Sequence, residues 1–342
     1  MKIMSIIGAR PQFVKAAVFR QACMLSGVSE ILVHSGQHYD ENMSLGIFNE
    51  LNVKPPDYIF TLNHRTHGAL TGEIMIQLEE LILSNKPDII NVYGDTNTTL
   101  AAALVATKLH IPVSHIEAGL RSYNRLMPEE TNRVLTDHVS SFLFCPTLLS
   151  VSQLAAEGIT ENVYHVGDIM YDCVKMFRGQ FRFPSIELKS SRPIAILTLH
   201  RAENVNINTK LKELIDFAKQ KLSRYEVIFP IHPNTANKIK EFDIDVSMFT
   251  VIPPTSYLET QGLLQRADLI LTDSGGMQKE AYFHRVKCIT LRSETEWPET
   301  IASGWNSLWN SNKVAHTKTQ EISDYGSGRT AYEILSVLDN FI

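Results

Sequence analysis

The chain has 342 residues, 44% of them apolar and 20% charged, with a net charge of −5 at pH 7. Such a length predicts two cores of roughly 150–180 residues each, and the acidic balance excludes, by bulk electrostatics, a nucleic-acid or membrane-surface binder. Four scattered cysteines (Cys23, Cys145, Cys173, Cys288) form no CxxC and no zinc spacing, which points to small buried residues in a reducing compartment.

In chain order, residues 2–7 read as a strand that no signal peptide precedes. Gly8-Ala9-Arg10-Pro11 follows, then a helix with Pro11 in its first turn and Lys15 one turn further on. Residues 30–34 read as a strand and 35–43 as a polar loop. An amphipathic helix over 67–84 carries Leu70, Ile74, Leu78 and Ile82 on one face. Residues 89–92 and 111–116 read as buried strands around a helix at 98–109, and an acid follows each strand, Asp95 and Glu117. Glu129 and Glu130 open the next helix. Strand 142–145, helix 148–157 and strand 163–166 complete this series. Residues 175–193, charged and carrying Gly, Ser and Pro, read as an interdomain linker. A second series has strands at 194–199, 226–231, 249–252, 269–272 and 287–291, with helices at 207–222, 235–240, 257–266 and 276–283. A polar stretch at 311–324 has weak structure, and a last helix covers 328–341. Strands alternating with helices predict parallel sheets covered on both faces. Two such halves imply a ligand cleft, and no apolar run reaches membrane-spanning length.

Ligands of open parallel sheets bind outside the carboxyl ends of the strands, so Asp95 and Glu117 share one rim. Asp273-Ser274-Gly275-Gly276 follows an apolar strand and opens a helix. Close backbone approach, unpaired N–H groups and the helix dipole suit a diphosphate there, although the same residues suit an ordinary capped turn equally well. Glu280, further along that helix, is placed to reach a ribose hydroxyl. His200 ends the first strand of the second series and would face the cleft, but a lone histidine at a strand end is more often a structural partner, as is His232. Pro128-Glu129-Glu130 with Asn132-Arg133 reads locally as acids compensating a helix dipole. Arg10 and Lys15 read as a solvated first turn or, beside a diphosphate, as its partners. No GxGxxG follows the first strand, and neither GxxxxGKS nor GxxxxGKT occurs. No HExxH-like spacing argues for a metal.

Taken together and in register, these motifs resemble the non-hydrolysing UDP-N-acetylglucosamine 2-epimerases. The resemblance rests on Gly8-Ala9-Arg10-Pro11 with Lys15, Gly94-Asp95-Thr96, His115-Ile116-Glu117-Ala118-Gly119-Leu120-Arg121, Pro128-Glu129-Glu130 with Asn132-Arg133, His200-Arg201, Asp273-Ser274-Gly275-Gly276 with Gln278 and Glu280, and Pro298-Glu299. It implies an α/β GT-B fold of two Rossmann-like domains with parallel sheets and an interdomain cleft. The expected domains are 1–175 and 190–327, with a helix at 328–342 crossing back to the first. It further implies a cytoplasmic homodimer that acts on a UDP-2-acetamido sugar for polysaccharide precursor synthesis, with no metal and no cofactor, NAD included. Carried over residue by residue, Asp95, Glu117, Glu129 and His200 are the catalytic set. Arg10, Ser274 and Gly275 fall at diphosphate positions, Gly276 beside them in the UDP-sugar site, Glu280 at the ribose, and Lys15 and Arg133 support the site.

The family's chemistry explains these residue types. Carbon 2 of the sugar adjoins an acetal, so its proton becomes acidic only as UDP leaves carbon 1. Elimination to 2-acetamidoglucal and re-addition then need acid–base groups at carbon 2 and cationic or N–H partners on the diphosphate. Where many members read Thr-Glu-Arg-Pro-Glu, this chain has Thr295-Glu296-Trp297-Pro298-Glu299. With Gly36-Gln37-His38-Tyr39-Asp40 and His67-Gly68, that variant looks like the branch that includes epimerases of UDP-2,3-diacetamido-glucuronic acid. The 67–84 helix lacks the arginine pattern of members activated by a second UDP-N-acetylglucosamine. A GT-B glycosyltransferase, a hydrolysing epimerase and a catalytically silent nucleotide-sugar sensor are the rival readings.

Overall fold

A computed structural model describes residues 1–37, 41–64, 66–311 and 318–341, and for 41–45 the backbone alone. The chain divides into two compact units, Met1–Met176 with Ser323–Ile342, and Phe177–Ile322.

Among the described residues, unit 1 has seven strands, β1 (Lys2–Ile7), β2 (Ser29–His34), β3 (Tyr58–Ile59), β4 (Ile89–Tyr93), β5 (Val113–Ile116), β6 (Phe142–Cys145) and β7 (Val163–His165). Its helices are α1 (Arg10–Ser26), α2 (Glu41–Glu50), α3 (His67–Asn85), α4 (Asn97–Lys108), α5 (Pro128–Val139), α6 (Leu148–Ala156) and α7 (Ile169–Phe177). The sheet is parallel, in the order β3-β2-β1-β4-β5-β6-β7. Its central strands are apolar runs because both faces are covered: Ile3, Met4, Ile6 and Ile7 of β1 are fully buried. α1 has proline in its first turn and ends on Gly27 at φ +70, the left-handed stop that glycine adopts without strain. In α4, Ala101, Ala102, Ala103 and Ala106 are fully buried, and these small residues fit beneath the Leu70, Ile74, Leu78 and Ile82 stripe of α3.

Unit 2 repeats the plan. Its described strands are β8 (Ile194–Thr198), β9 (Glu226–Pro230), β10 (Thr250–Ile252), β11 (Leu269–Thr272), β12 (Lys287–Thr290) and β13 (Asn306–Leu308). They are parallel, in the order β10-β9-β8-β11-β12-β13. The helices are α8 (Ala202–Val205), α9 (Asn208–Lys221), α10 (Pro233–Glu241), α11 (Tyr257–Arg266), α12 (Gly275–Phe283) and α13 (Pro298–Ala302). The last helix, α14 (Thr330–Asp339), belongs to unit 1, packs against α1 and is held by Thr330 Oγ1 on the Val166 carbonyl (3.0 Å). In both sheets the strand order reverses beside the first strand, between β1 and β4 and between β8 and β11. Those crevices at the carboxyl ends are where such sheets bind ligands.

Several expectations are corrected. The polar loop expected over 35–43 gives way to α2 from Glu41, and His38, Tyr39 and Asp40 lie outside the described residues. Residues 175–193 are not simply a linker: α7 runs to Phe177, and Phe183, Ile186 and Leu188 pack on the unit 2 core. Three apolar side chains three and two residues apart are too sparse to register as an element. Of the stretch at 311–324, residues 312–317 lie outside the described residues.

Under α1, β2 carries a buried acid. Glu30 accepts from Ser5 Oγ at 2.6 Å, and Arg20 stands 3.7 Å away while pairing with Asp57 at 2.9 Å. Burial pushes the Glu30 carboxyl up to about 7 from an ordinary 4.5, against the Ser5 hydrogen bond and the Arg20 charge. The folded chain therefore holds a proton that the unfolded chain gives up above about pH 4.5. The resulting stability is present below that pH and is lost as pH rises through 7, on the order of 2–4 kcal/mol in all. Glu30→Gln should flatten that part of the slope in urea unfolding followed by far-UV circular dichroism at pH 5 and pH 8. An unchanged slope would remove Glu30 as its source.

Candidate active site

The unit 1 rim is assembled from the turns after β1, β4 and β5 and the start of α5. Gln12, near the start of α1, fills the first turn: its Oε1 accepts the N–H groups of Gly8 (2.8 Å) and Ala9 (3.0 Å), and its Nε2 donates to the Tyr93 carbonyl (2.7 Å). Gly8 is a packing requirement, since a Cβ there would meet Thr98 Oγ1 at 2.1 Å. Arg10 stands exposed at the helix start. Lys15, one turn on and buried, is ion-paired with buried Glu117.

Asp95 follows Gly94, which has φ +61 and whose N–H donates to the Ile116 carbonyl (3.0 Å). The Asp95 carboxylate, 30% exposed, takes Arg133 Nη2 at 2.5 Å, and its main-chain carbonyl takes Asn132 Nδ2 at 2.9 Å. Arg133 also meets Glu130 (3.1 Å), which is buried and accepts the N–H groups of Ser122 (2.8 Å) and Tyr123 (2.9 Å). Burial works to raise the Glu130 carboxyl, but the Ser122 and Tyr123 hydrogen bonds and Arg133 outweigh it and hold the group low. Glu129, by contrast, is exposed. Glu117 is held at φ +70, a costly conformation for a residue with a Cβ. A Cβ built on Gly94 would lie 3.4 Å from Glu117 Oε2, so the two acidic turns adjoin.

The unit 2 rim collects the turns after β8, β11 and β12. Asp273, fully buried, is its hub. It accepts His200 Nδ1 (3.0 Å), the N–H groups of His200 (3.1 Å) and Arg201 (3.0 Å), and Asn204 Nδ2 (3.1 Å). Burial acts to raise its carboxyl, and these donors together with the His200 charge pull it below the usual range. His200 itself is half exposed, with Nδ1 fixed on Asp273 and Nε2 left as the other ring nitrogen. Ser274 caps α12, accepting the Met277 N–H at 3.5 Å. At Gly276 a Cβ would meet nothing within 4 Å, and at Gly275 its nearest neighbours are Glu296 (3.6 Å) and Arg201 Nη2 (3.8 Å), ordinary contacts. Neither glycine has a positive φ. The protein's own packing thus does not call for glycine here, in contrast to Gly8, and two glycines weaken a helix start. The space beside them leaves the backbone open to approach. Trp297, buried, donates its indole N–H to the Gly275 carbonyl (3.1 Å), and Lys279 Nζ lies 3.8 Å over its ring. Glu280, on the same helix, accepts from Gln261 Nε2 (2.7 Å), whose Oε1 is held by His284 (2.7 Å). Among the described residues no group of three His, Cys, Asp or Glu side chains is arranged to hold a metal, and no helix is long and apolar enough to cross a membrane.

The family model described as UDP-N-acetylglucosamine 2-epimerase matches residues 22–339. The chain belongs to that family. It is 45% identical over 313 residues to the UDP-2,3-diacetamido-2,3-dideoxy-D-glucuronate 2-epimerase of Pseudomonas aeruginosa, covering 90% of this chain and 88% of that one. It is 40% identical over 363 residues to the UDP-N-acetylglucosamine 2-epimerase of Methanocaldococcus jannaschii, covering 99% of each. The crystal structure of the Methanocaldococcus jannaschii enzyme in complex with UDP-GlcNAc and UDP has a TM-score of 0.85 and 38% identity, covering 99% of this chain and 100% of that chain. As a member of the epimerase family the chain is an isomerase, and its two parallel sheets share the GT-B-type fold of these relatives.

Within each unit the structure brings expected site residues of this epimerase together. Asp95 joins Arg133, Lys15 joins Glu117, and His200 joins the Asp273 turn. Arg10 and Glu129 stay outside these networks. Residue reading missed Gln12, Asp137 and the hub role of Asp273. Only the last left a signal, an acid directly after an apolar strand.

Proposed function

We propose that this chain interconverts UDP-GlcNAc and UDP-ManNAc as a non-hydrolysing 2-epimerase. The observation that carries the reading is the difference between the two rims. In unit 2 the Gly275-Gly276 helix start is open, with Arg201 beside it and the neighbouring Glu296 carboxylate paired with Arg201 and Arg292, whereas in unit 1 the turn after β1 is filled by Gln12 and the rim carries Asp95 and Glu117. One rim suits an anion, since first-turn N–H groups have no intrahelical acceptor. The other suits proton transfer.

On this reading Ser274, Gly275 and Gly276 take the diphosphate with Arg10 as a further partner, and Glu280 takes the ribose. A base removes the proton from carbon 2 as the carbon 1–oxygen bond breaks. UDP leaves with the bonding pair, and a carbon 1–carbon 2 double bond gives 2-acetamidoglucal. Re-addition of UDP forms the carbon 1–oxygen bond again, with the proton delivered to the opposite face of carbon 2. Asp95, Glu117, Glu129 and His200 supply the acid–base groups, and two faces require at least two of them. Lys15 and Arg133 orient the Glu117 and Asp95 carboxylates. No metal or cofactor takes part. The working domains are 1–175 and 190–327 with a returning helix at 328–342. The family resemblance supports a cytoplasmic homodimer that feeds polysaccharide precursor synthesis.

The second reading replaces the substrate by UDP-2,3-diacetamido-2,3-dideoxy-glucuronic acid. It is favoured by the 45% identical relative and by Trp297 in the Thr295–Pro298 segment. Incubation with each UDP-sugar in deuterated water, followed by NMR of carbon 2, tests both. Deuterium at carbon 2 with UDP attached supports epimerisation and shows which sugar is used. Free sugar indicates hydrolysis, and no exchange with either sugar would sink the proposed chemistry.

A further inference from the structure

α5 carries more than the acids of its first turn. Glu130, Arg133 and Asp137 recur at spacings of three and four and therefore share one face. The early part of that face holds the Asp95 carboxylate through Arg133, and the neighbouring Asn132 holds the Asp95 carbonyl. Asp137, one turn later, has no exposed side-chain surface. Its Oδ1 accepts from His115 Nδ1 at 2.7 Å, and its Oδ2 from the Gly119 N–H at 3.1 Å and Arg121 Nη1 at 2.7 Å. The second nitrogen of His115, Nε2, lies 2.8 Å from the Gly94 carbonyl. Gly94 directly precedes Asp95, and Gly119 lies two residues after Glu117. One buried carboxylate thus fixes both acidic turns, the second directly and the first through a histidine.

This arrangement is rigid. His115 and Asp137 are fully enclosed, Arg121 is anchored again on Glu157 (2.6 and 2.8 Å), and both ring nitrogens of His115 are committed to oxygen acceptors. Neither side chain of the pair has any exposed surface. The effect of the pair is to set where the Gly94 carbonyl, and hence the next residue, points. A shift of about 1 Å at a reacting group is enough to lose two orders of magnitude in rate.

We propose that Asp137, acting through His115, is the positioning residue that orients the Gly94–Asp95 turn for proton transfer at carbon 2. The proposal rests on the reading of Asp95 as a proton handler. Its test compares Asp137→Asn, His115→Ala, His115→Gln and Asp95→Asn in the full chain. The readouts are carbon-2 exchange of the UDP-sugar that the parent turns over, UDP affinity, and thermal unfolding. His115→Ala and Asp137→Asn should each lower kcat by about a hundredfold, with KM and UDP affinity held within about threefold. His115→Gln keeps an N–H for the Gly94 carbonyl and should regain at least about tenfold over His115→Ala. If Asp137→Asn does not fold, the histidine pair decides. Exchange within about threefold of the parent in His115→Ala overturns the proposal, as does a loss that UDP affinity and unfolding share equally. Full exchange in Asp95→Asn removes the reading of Asp95 instead, whereas a silent Asp95→Asn beside an active His115→Ala removes only the positioning role.

Discussion

Asp95→Asn should bind UDP as the parent does and lose carbon-2 exchange by roughly 10²–10⁴-fold, the range over which general acid–base groups contribute. The size of that loss has to be separated from any effect on folding. The Asp95 side chain is 30% exposed and that of Arg133 10%, so their pair is partly screened and worth on the order of 1–3 kcal/mol. Asparagine keeps an oxygen for Arg133, which in any case retains Glu130 at 3.1 Å. Unfolding thus cannot account for a loss of two orders of magnitude. UDP affinity, which we assign to the open glycine turn of unit 2, should be unchanged by calorimetry. Turnover near the parental rate would take Asp95 out of the proton-handling set.

The second large effect is on stability. Asp273→Ala removes the acceptor of two main-chain N–H groups, the Asn204 amide and the His200 ring, all at 3.0–3.1 Å. Stranding such donors around a site with no exposure should cost about 3–5 kcal/mol at pH 7. Tryptophan emission is the suitable probe, because Trp297, Trp305 and Trp309 are the three tryptophans of the chain and all lie in unit 2. The difference between parent and variant should shrink in acid. The Asp273 carboxyl is held below its usual range in the folded chain, so on acidification the unfolded chain takes up this proton first. The stability it contributes is complete above about pH 4 and is lost as pH falls through the lowered folded value. Equal unfolding midpoints at pH 7 would refute the hub role. Activity should fall as well, since His200 loses the partner that fixes its ring.

Much of this was legible beforehand, and for identifiable reasons. The central strands of both sheets are continuous apolar runs that end in chemically distinctive residues, so Asp95, Glu117, His200 and Ser274 could be placed at strand ends without coordinates. Edge strands β3 and β13, two and three residues long, have too few side chains to carry a period. α2 begins amid Asp, Glu, Asn and Ser, a composition that a polar loop shares. The positioning residues were hidden for another reason. Gln12 and Asp137 act on turns 81 and 22 residues away in sequence, and their types are unremarkable within a helix. Local composition could not distinguish Glu129 from Glu130 either, although only Glu130 is built into the Arg133 network.

The left-handed backbone of Glu117 has a consequence for sequence drift. At φ +70 a glycine or asparagine would relieve about 1–3 kcal/mol of strain, so backbone conformation alone favours losing the glutamate, while its buried pair with Lys15 opposes that loss. Selection for turnover favours keeping it, if its carboxylate serves carbon 2 as proposed. Position 117 is then a site where backbone strain and side-chain chemistry prefer different residues. The identity found there records which of them has prevailed.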